Sequence, residues 1–434
     1  MGRYNGYMKT IYRNCRLLDG TKDMTVREDM CIAVEDGKIV KVGKDLKGDR
    51  EVDLNGKYLM PGLINMHVHI PANGFPKEKE TDNKKLVKLV TKTKLTQKLA
   101  KKLLCDPNMK TQLLSGCTTI RSVGGVGHID TMIRDEIEKG KLVGPRLIAC
   151  DYAVTIPGGH MEGTVAVGAH NKEEFISYIQ DNAKNGVDWI KIMVTGGVLD
   201  AKVKGEPGEM KMTAEQIRIC TEEAHRLGLK VCAHVESPQG VEISLENGVD
   251  CIEHGSYMNE ETIRMFLEKD AIEVCTLSPA IPLAKLDPKY TKATDITMYN
   301  SEYLLEGMID GVKKCLKNGV RVGLGTDTGC PFVTHYDMWR ELEYFHKLCE
   351  VDRTYALYTA TLNNAKLLGI DKETGSIEEG KSADFIVSEK NPLDGFDALR
   401  KLDLVVFRGK EYKDPTVKKN DICEKELDQY LNTL

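Results

Sequence analysis

Short runs in which apolar and polar residues alternate open the chain, at Thr10–Leu17, Met30–Glu35, Lys38–Val42 and Glu51–Leu54. A period of two predicts strands with one buried face. Asp36-Gly37 between two of these runs is the dipeptide of a tight hairpin. The same texture returns at Ala383–Val387 and Leu402–Arg408, punctuated by Asn391-Pro392 and by Gly409. Strand-rich stretches at both ends predict one small β-domain assembled from residues 1–60 and 370–434.

The middle, 61–369, reads differently. Apolar runs end near Ile64, Ile120, Ile148, Met193, Ala233, Ile252, Thr276 and Leu324, with amphipathic stretches between most of them. Thr213 followed by Gln216 is a capping box that opens a helix to about Leu227, stopped by Gly228. Asn171–Asn185 is a second helix, ended by Gly186. Eight strands alternating with helices fit a (β/α)8 barrel. A doubly wound open sheet has the same alternation. Residues 77–105 form a Lys-rich helical insertion, read as a solvated face in preference to a lid. From Pro415 onward a polar helix or tail follows, with no role assigned to it.

The 434 residues allow two or three domains, at roughly 150 residues each. With 41% hydrophobic and 29% charged residues the chain can bury a core, which excludes disorder throughout. Sixty-one basic against 66 acidic residues leave a net charge of −5. That balance speaks against nucleic acid, or an anionic membrane held by bulk charge. Thirteen scattered cysteines without a C-x-x-C pair do not make a disulfide scaffold and suit a reducing, cytoplasmic setting. No run approaches the roughly 18 apolar residues of a membrane span. Met1–Cys15 lacks the apolar stretch of a cleaved signal. Gly2 stands at a myristoylation position, but Gly6 occupies the place where Ser or Thr is required, so that reading is set aside.

Ten histidines are present, and four fall where barrel strands should end. His67-Val68-His69 closes the first strand, and residues two apart on a strand share a face. His234 ends the fifth strand, His254 the sixth and Asp327 the eighth. Any one of these has an ordinary structural explanation, and Asp327 in Gly325-Thr326-Asp327 suits a turn. Together they place four imidazoles and a carboxylate at the face where barrel enzymes build their sites, a donor set suited to a divalent metal such as zinc. Lys191 lies in an apolar fourth strand. It is either paired in a salt bridge or held as a neutral amine, which can take up CO2 as a carbamate. His160, after Gly158-Gly159, is either an oxyanion donor or a solvent-facing loop residue. Arg121 is either a clamp for a substrate carboxylate or a buried ion-pair partner, the second being preferred. His335, after the eighth strand, is a candidate substrate contact or a surface residue.

These motifs resemble the amidohydrolase superfamily, and within it the imidazolonepropionase-like and Xaa-Pro dipeptidase (prolidase-like) branch. Met60-Pro61-Gly62 before His67 and His69, Thr118-Thr119-Ile120-Arg121, Pro157-Gly158-Gly159-His160, Lys191 before Gly196-Gly197, Ala233-His234, Glu253-His254-Gly255 and Thr326-Asp327 occur in family order. So does the tail signature from Gly375 to Asp384, followed by Asn391-Pro392. The resemblance implies a deformed (β/α)8 TIM-like barrel with a composite β-sandwich. It implies two divalent metal ions, zinc by preference. His67, His69 and Asp327 would hold one, His234 and His254 the other, with carboxylated Lys191 and a hydroxide between them. Asp327 would then act as general base and later general acid. Two positions depart from relatives: Ser122 stands where Asp is frequent, and Glu236 where carboxypeptidase-like members carry a nearby Tyr. Glu236 could meet a cationic substrate or pair with Arg or Lys. The loop Val198–Met212 is expected to cover the substrate as a mobile segment.

The function expected is metal-dependent hydrolysis of a C–N bond in a small molecule: a dipeptide, an N-acyl amino acid or a cyclic amide. The alternatives are a deaminase of an aminated heterocycle and a lactone or organophosphate ester hydrolase. A non-catalytic assembly protein is disfavoured because all six ligand positions are retained. A homo-oligomer is expected.

Overall fold

The computed structural model describes residues 8–76 and 82–434. The myristoylation reading at Gly2 and Gly6, the first part of Met1–Cys15 and the segment 77–81 of the insertion lie outside the described residues.

The two ends of the chain meet in one sheet. Its order runs Lys410–Lys413, Leu404–Phe407, Phe385–Ser388, Tyr58–Pro61, Thr10–Leu17, Arg27–Glu35, Lys38–Gly43, with Arg50–Asp53 beside Thr10–Leu17. The join is Tyr58–Pro61 antiparallel to Phe385–Ser388, with Met60 opposite Ile386. Strand alternation divides the side chains. Leu59, Phe385, Val387, Leu404 and Val406 enter a cluster belonging to this sheet. Met60, Ile386 and Val405 turn the other way into the main core.

All eight expected middle strands are present: Leu63–Val68, Cys117–Ser122, Arg146–Ile148, Trp189–Met193, Lys230–Val235, Cys251–His254, Ile272–Cys275 and Arg321–Leu324. They pair in parallel within a three-stranded and a seven-stranded sheet. This is a TIM-barrel-like α/β fold, not a doubly wound one. The sheets are tied at two seams. At one, the third strand pairs with Cys117–Ser122, and its continuation Ala153–Thr155 pairs with Trp189–Met193. At the other, Asp327 N–H donates to His67 O at 3.0 Å and His69 N–H to Thr328 O at 2.8 Å. Alternation again sorts the residues. Ile190, Ile192, Ala233 and Ile252 face the surrounding helices. Trp189, Cys232 and Cys251 face inward into a separate cluster. Lys191, His234 and Glu253 share the parity of these three and so sit on the inner face above them.

The Thr213–Gln216 capping box and the Asn171 cap form as expected, on helices Ala214–Arg226 and Lys172–Lys184. Two readings gain detail. The insertion presents Leu86, Leu89, Leu95, Leu99 and Leu103 to solvent as well as lysines, while Lys101 is buried against Asp106 and Glu136. It is a solvated face, as expected, but one that carries apolar as well as charged residues. The tail from Pro415 ends in helix Asp421–Leu431, whose Glu424 and Asp428 hold the buried Arg340 at 3.0 and 2.6 Å. Among the described residues no helix is long and apolar enough to cross a membrane.

Candidate metal centre

His67 and His69 converge as strand geometry requires. The Nε2 atoms of both lie 3.2 Å from Asp327 Oδ1. Asp327 reaches them because its backbone takes a left-handed conformation, φ 58°, at the turn that ends the strand Arg321–Leu324. An aspartate tolerates that region better than most residues. Gly325 permits the approach: a Cβ there would lie 2.6 Å from that of His67. His254 is also left-handed, φ 73°, and its ring stands 4.7 Å from those of both His67 and His234. Strained backbone at two proposed ligand positions is characteristic of a site whose surroundings over-determine it.

The donor atoms fall into two groups, each spanning less than 4.8 Å: His67, His254 and Asp327, and His234, Glu236 and His254. His254 belongs to both, so the two form one continuous centre. Burial holds His234 and His254 well below the usual imidazole range, assisted by neighbouring imidazoles. Both are therefore neutral at pH 7, the form that binds a metal. Burial alone would raise Asp327, but His67 and His69 keep it well below the usual carboxylate range. Lys191 is 1% exposed, and its Nζ has no hydrogen-bond partner among the described residues. The salt bridge that was one reading of Lys191 is not seen there. His67 Nε2 and Asp327 Oδ1 likewise lack hydrogen-bond partners. Buried polar atoms without partners are costly. His67 Nε2 and Asp327 Oδ1 lie together, and Lys191 is an electrostatic neighbour of His234 and His254, which fits residues that would hold divalent ions.

A supporting layer fixes the rings. Glu253 Oε2 lies 2.7 Å from His67 Nδ1, Thr276 Oγ1 2.8 Å from His254 Nδ1, and Gly124 O 3.0 Å from His69 Nδ1. Each leaves Nε2 directed at the centre. These partners were not foreseen. Glu253 had a usable signal in its inward strand parity; Thr276 and Gly124 had none.

His160 stacks on His234, ring centroids 4.1 Å apart and 7° from parallel, with Nδ1 2.5 Å from Asp200 Oδ2. It stands at the centre, not in solvent. Arg121 and His335 are both buried, and Arg121 forms the ion pair that was its preferred reading. Arg121 is fully buried, donating to Met66 O at 2.8 Å and pairing with Glu253, so its guanidinium is enclosed by the barrel interior. His335 is 3% exposed, with Nε2 2.7 Å from Ala72 O and Nδ1 3.1 Å from Gln112 Nε2; both nitrogens are engaged by the protein. Glu236 pairs with neither Arg nor Lys among the described residues; its carboxylate accepts from Val198 N–H at 2.9 Å. The loop Val198–Met212 lies against this centre through Val198 and Asp200. Its far side is pinned by Gly205 N–H to Asn300 Oδ1, 2.7 Å.

The chain belongs to the amidohydrolase family, whose model matches residues 58–412. It falls in the branch of imidazolonepropionase-like and Xaa-Pro dipeptidase-like proteins and is an enzyme acting on carbon–nitrogen bonds. A candidate prolidase from Bifidobacterium longum has a similar structure, with TM-score 0.84, 36% identity, and 98% of this chain and 99% of that one covered. A Xaa-Pro dipeptidase crystallised with methionine in its active site has TM-score 0.80 and 28% identity, covering 93% of this chain and all of that one. Among curated proteins, ochratoxinase of Aspergillus niger is 26% identical over 334 residues, 70% of this chain and 67% of that protein. Imidazolonepropionase of Kosmotoga olearia is 22% identical over 384 residues, 84% and 85% of the two chains.

Proposed function

We propose that the protein is a two-metal hydrolase of an amide, peptide or cyclic amide bond in a small molecule, peptidase-like in its chemistry. The carrying observation is the convergence of His67, His69, His234, His254 and Asp327 on the inner face that also carries Lys191, a buried lysine whose Nζ has no hydrogen-bond partner among the described residues. Lys191 as a carbamate would supply a bidentate anion between the two sets of histidines, which removes the cost of a buried bare ammonium. Two zinc ions held there would lower the pKa of a shared water and polarise the scissile carbonyl.

The side chains supply the rest. Asp327 accepts the proton of the attacking water and returns it to the leaving nitrogen, a base turned acid. His160 is oriented by Asp200, which accepts from Nδ1; as the imidazolium, with hydrogen on both nitrogens, the ring would donate through Nε2 to the carbonyl oxygen as charge develops on it. The loop Val198–Met212 covers the substrate through the same pair. We read the two sheets as one closed barrel over 61–369, supported by the bonds at both seams. The end segments 1–60 and 370–434 are read as its composite β-sandwich. The thirteen free cysteines, twelve of them buried, suit a cytoplasmic protein. The exposed leucines of the insertion suit assembly with further copies of the chain.

The test is metal analysis together with turnover on a panel of dipeptides, N-acyl amino acids, cyclic amides and aminated heterocycles. Two divalent ions per chain and hydrolysis of a C–N bond are expected. Lys191→Ala should lose a factor on the order of 10³ in kcat, comparable to losing a preorganised electrostatic group. Wild-type turnover in that variant refutes the bridging role, and activity confined to the heterocycles favours deamination.

A further inference from the structure

Glu236 follows His234 by two residues at the end of the strand Lys230–Val235, so both side chains leave the backbone on the inner face. Its position is set from two sides. Its own N–H donates to Thr195 Oγ1 at 3.0 Å, and its Oε2 accepts from Val198 N–H at 2.9 Å. The other oxygen, Oε1, is thereby directed inward, 3.9 Å from His234 Nε2. One donor atom each from Glu236, His234 and His254 lie within 4.8 Å of one another. The residue is 8% exposed, and among the described residues no lysine or arginine forms an ion pair with it.

Burial and Asp327 push the Glu236 carboxyl well above the usual range, a cost that a nearby cation would remove; with one oxygen anchored by a backbone N–H and the other facing two imidazoles, it has the form of a monodentate metal ligand. Donor atoms about 2.1 Å from a tetrahedral zinc stand about 3.4 Å apart, so a small rotation of the Glu236 side chain suffices to close the set. Two histidines and a carboxylate are a sound donor set for zinc. We infer that Glu236 is a third protein ligand to the ion held by His234 and His254. The inference rests on the two-metal reading and extends it. It gives the second ion three ligands that do not depend on Lys191, so this ion should persist when the carbamate is absent. The anchored Oε2 also makes Val198, in the covering loop, a positioning residue for the centre.

The experiment compares wild type, Glu236→Gln and Lys191→Ala after dialysis against zinc and, separately, cobalt. It measures ions per chain by elemental analysis, affinity by chelator competition, and the visible d–d spectrum of the cobalt-loaded protein. Glu236→Gln keeps the shape and the Val198 hydrogen bond but removes the anion. The expected result is an affinity for one of two ions weakened by at least about tenfold, with a changed cobalt spectrum. Lys191→Ala should still retain one ion. Unchanged affinity and spectrum in Glu236→Gln overturn the ligand role, even if turnover of amine-bearing substrates falls, which would make Glu236 a substrate contact. Fewer than two ions in the wild type is a separate result: it overturns the two-metal reading and this proposal with it. Should Glu236→Gln fold poorly by circular dichroism, Glu236→Asp serves in its place. It keeps the charge but shortens the reach, and a weakened second ion is again expected.

Discussion

Glu253 shares its two oxygens between His67 Nδ1, at 2.7 Å, and the guanidinium of Arg121. Burial alone would raise its pKa, yet Arg121 and His67 hold it well below the usual range. An ionised carboxylate only accepts hydrogen bonds, so His67 carries its hydrogen on Nδ1 and presents Nε2 as a lone pair. Arg121 thus acts on the centre through Glu253, and Cys251 adds a third donor to the same carboxylate at 3.1 Å. His335 is fixed by the same logic. Ala72 O can only accept, so Nε2 carries the hydrogen and Nδ1 accepts from Gln112. Burial lowers this imidazole from 6.5 to about 4. The folded state therefore refuses a proton that the unfolded chain takes. The contribution is whole above about pH 6.5 and is lost as pH falls towards 4, at up to about 1.4 kcal/mol per pH unit. His335→Gln should be less stable near neutrality but flatter across that window, as read from urea midpoints between about pH 8 and about pH 5. A slope unchanged from wild type would show that His335 does not titrate this way. The convergence of His67, His234, His254 and Asp327 was legible because their types and strand-end spacing are chemically unusual. Arg121 was read by preference as a buried ion-pair partner, and it pairs with Glu253; for His335 nothing local distinguishes a buried strut from a substrate contact.

Elements meet at the seam between the first and eighth strands, and one side chain joins them. Asn364 Oδ1 accepts from Leu324 N–H at 3.0 Å, while its Nδ2 donates to Ile64 O and Leu324 O, both at 2.8 Å. It follows a π-helical turn, Thr359–Asn363, and is fully buried. Three backbone groups at the edges of two strands thus depend on one amide. Asn364→Leu fills a similar volume and leaves all three unsatisfied. A loss of about 3–5 kcal/mol in unfolding free energy is expected from such buried groups. A loss below about 1 kcal/mol would mean that the strands find other partners. The long strands and capped helices were readable, because period and cap chemistry act locally. The three-residue strands Ala153–Thr155 and Ala166–Gly168 were not. They are too short to show a period, and, unlike the equally short Arg146–Ile148, they do not follow the strand-then-helix alternation that marks the others.

At the scale of the molecule, the tail motif from Gly375 to Asp384 acquires a physical meaning. Ile377 N–H donates to Asp19 O at 2.9 Å, and Ala383 N–H to Gly37 O at 2.8 Å, so the C-terminal segment is stitched to the N-terminal strands. Asp384 completes the join to the barrel. Its Oδ2 takes Arg146 at 2.7 Å and Thr374 at 3.0 Å; its Oδ1 takes Ser382 Oγ and Arg408 N–H, both at 2.8 Å. Arg146 opens the third barrel-type strand and is itself buried. Removing the carboxylate leaves a buried guanidinium with one anion fewer, an imbalance that typically costs about 3–5 kcal/mol. Asp384→Ala should therefore destabilise both parts of the molecule together. The only two tryptophans, Trp189 and Trp339, lie in the middle of the chain, far from position 384 in sequence. Their fluorescence reports the barrel, whereas far-ultraviolet circular dichroism reports the whole. If the end strands and the barrel form one cooperative unit, both signals shift to the same lower denaturant midpoint in Asp384→Ala. If circular dichroism shows an early partial transition while the fluorescence midpoint stays at its wild-type value, the β-unit unfolds alone. The candidate metal centre would then owe nothing to the ends of the chain.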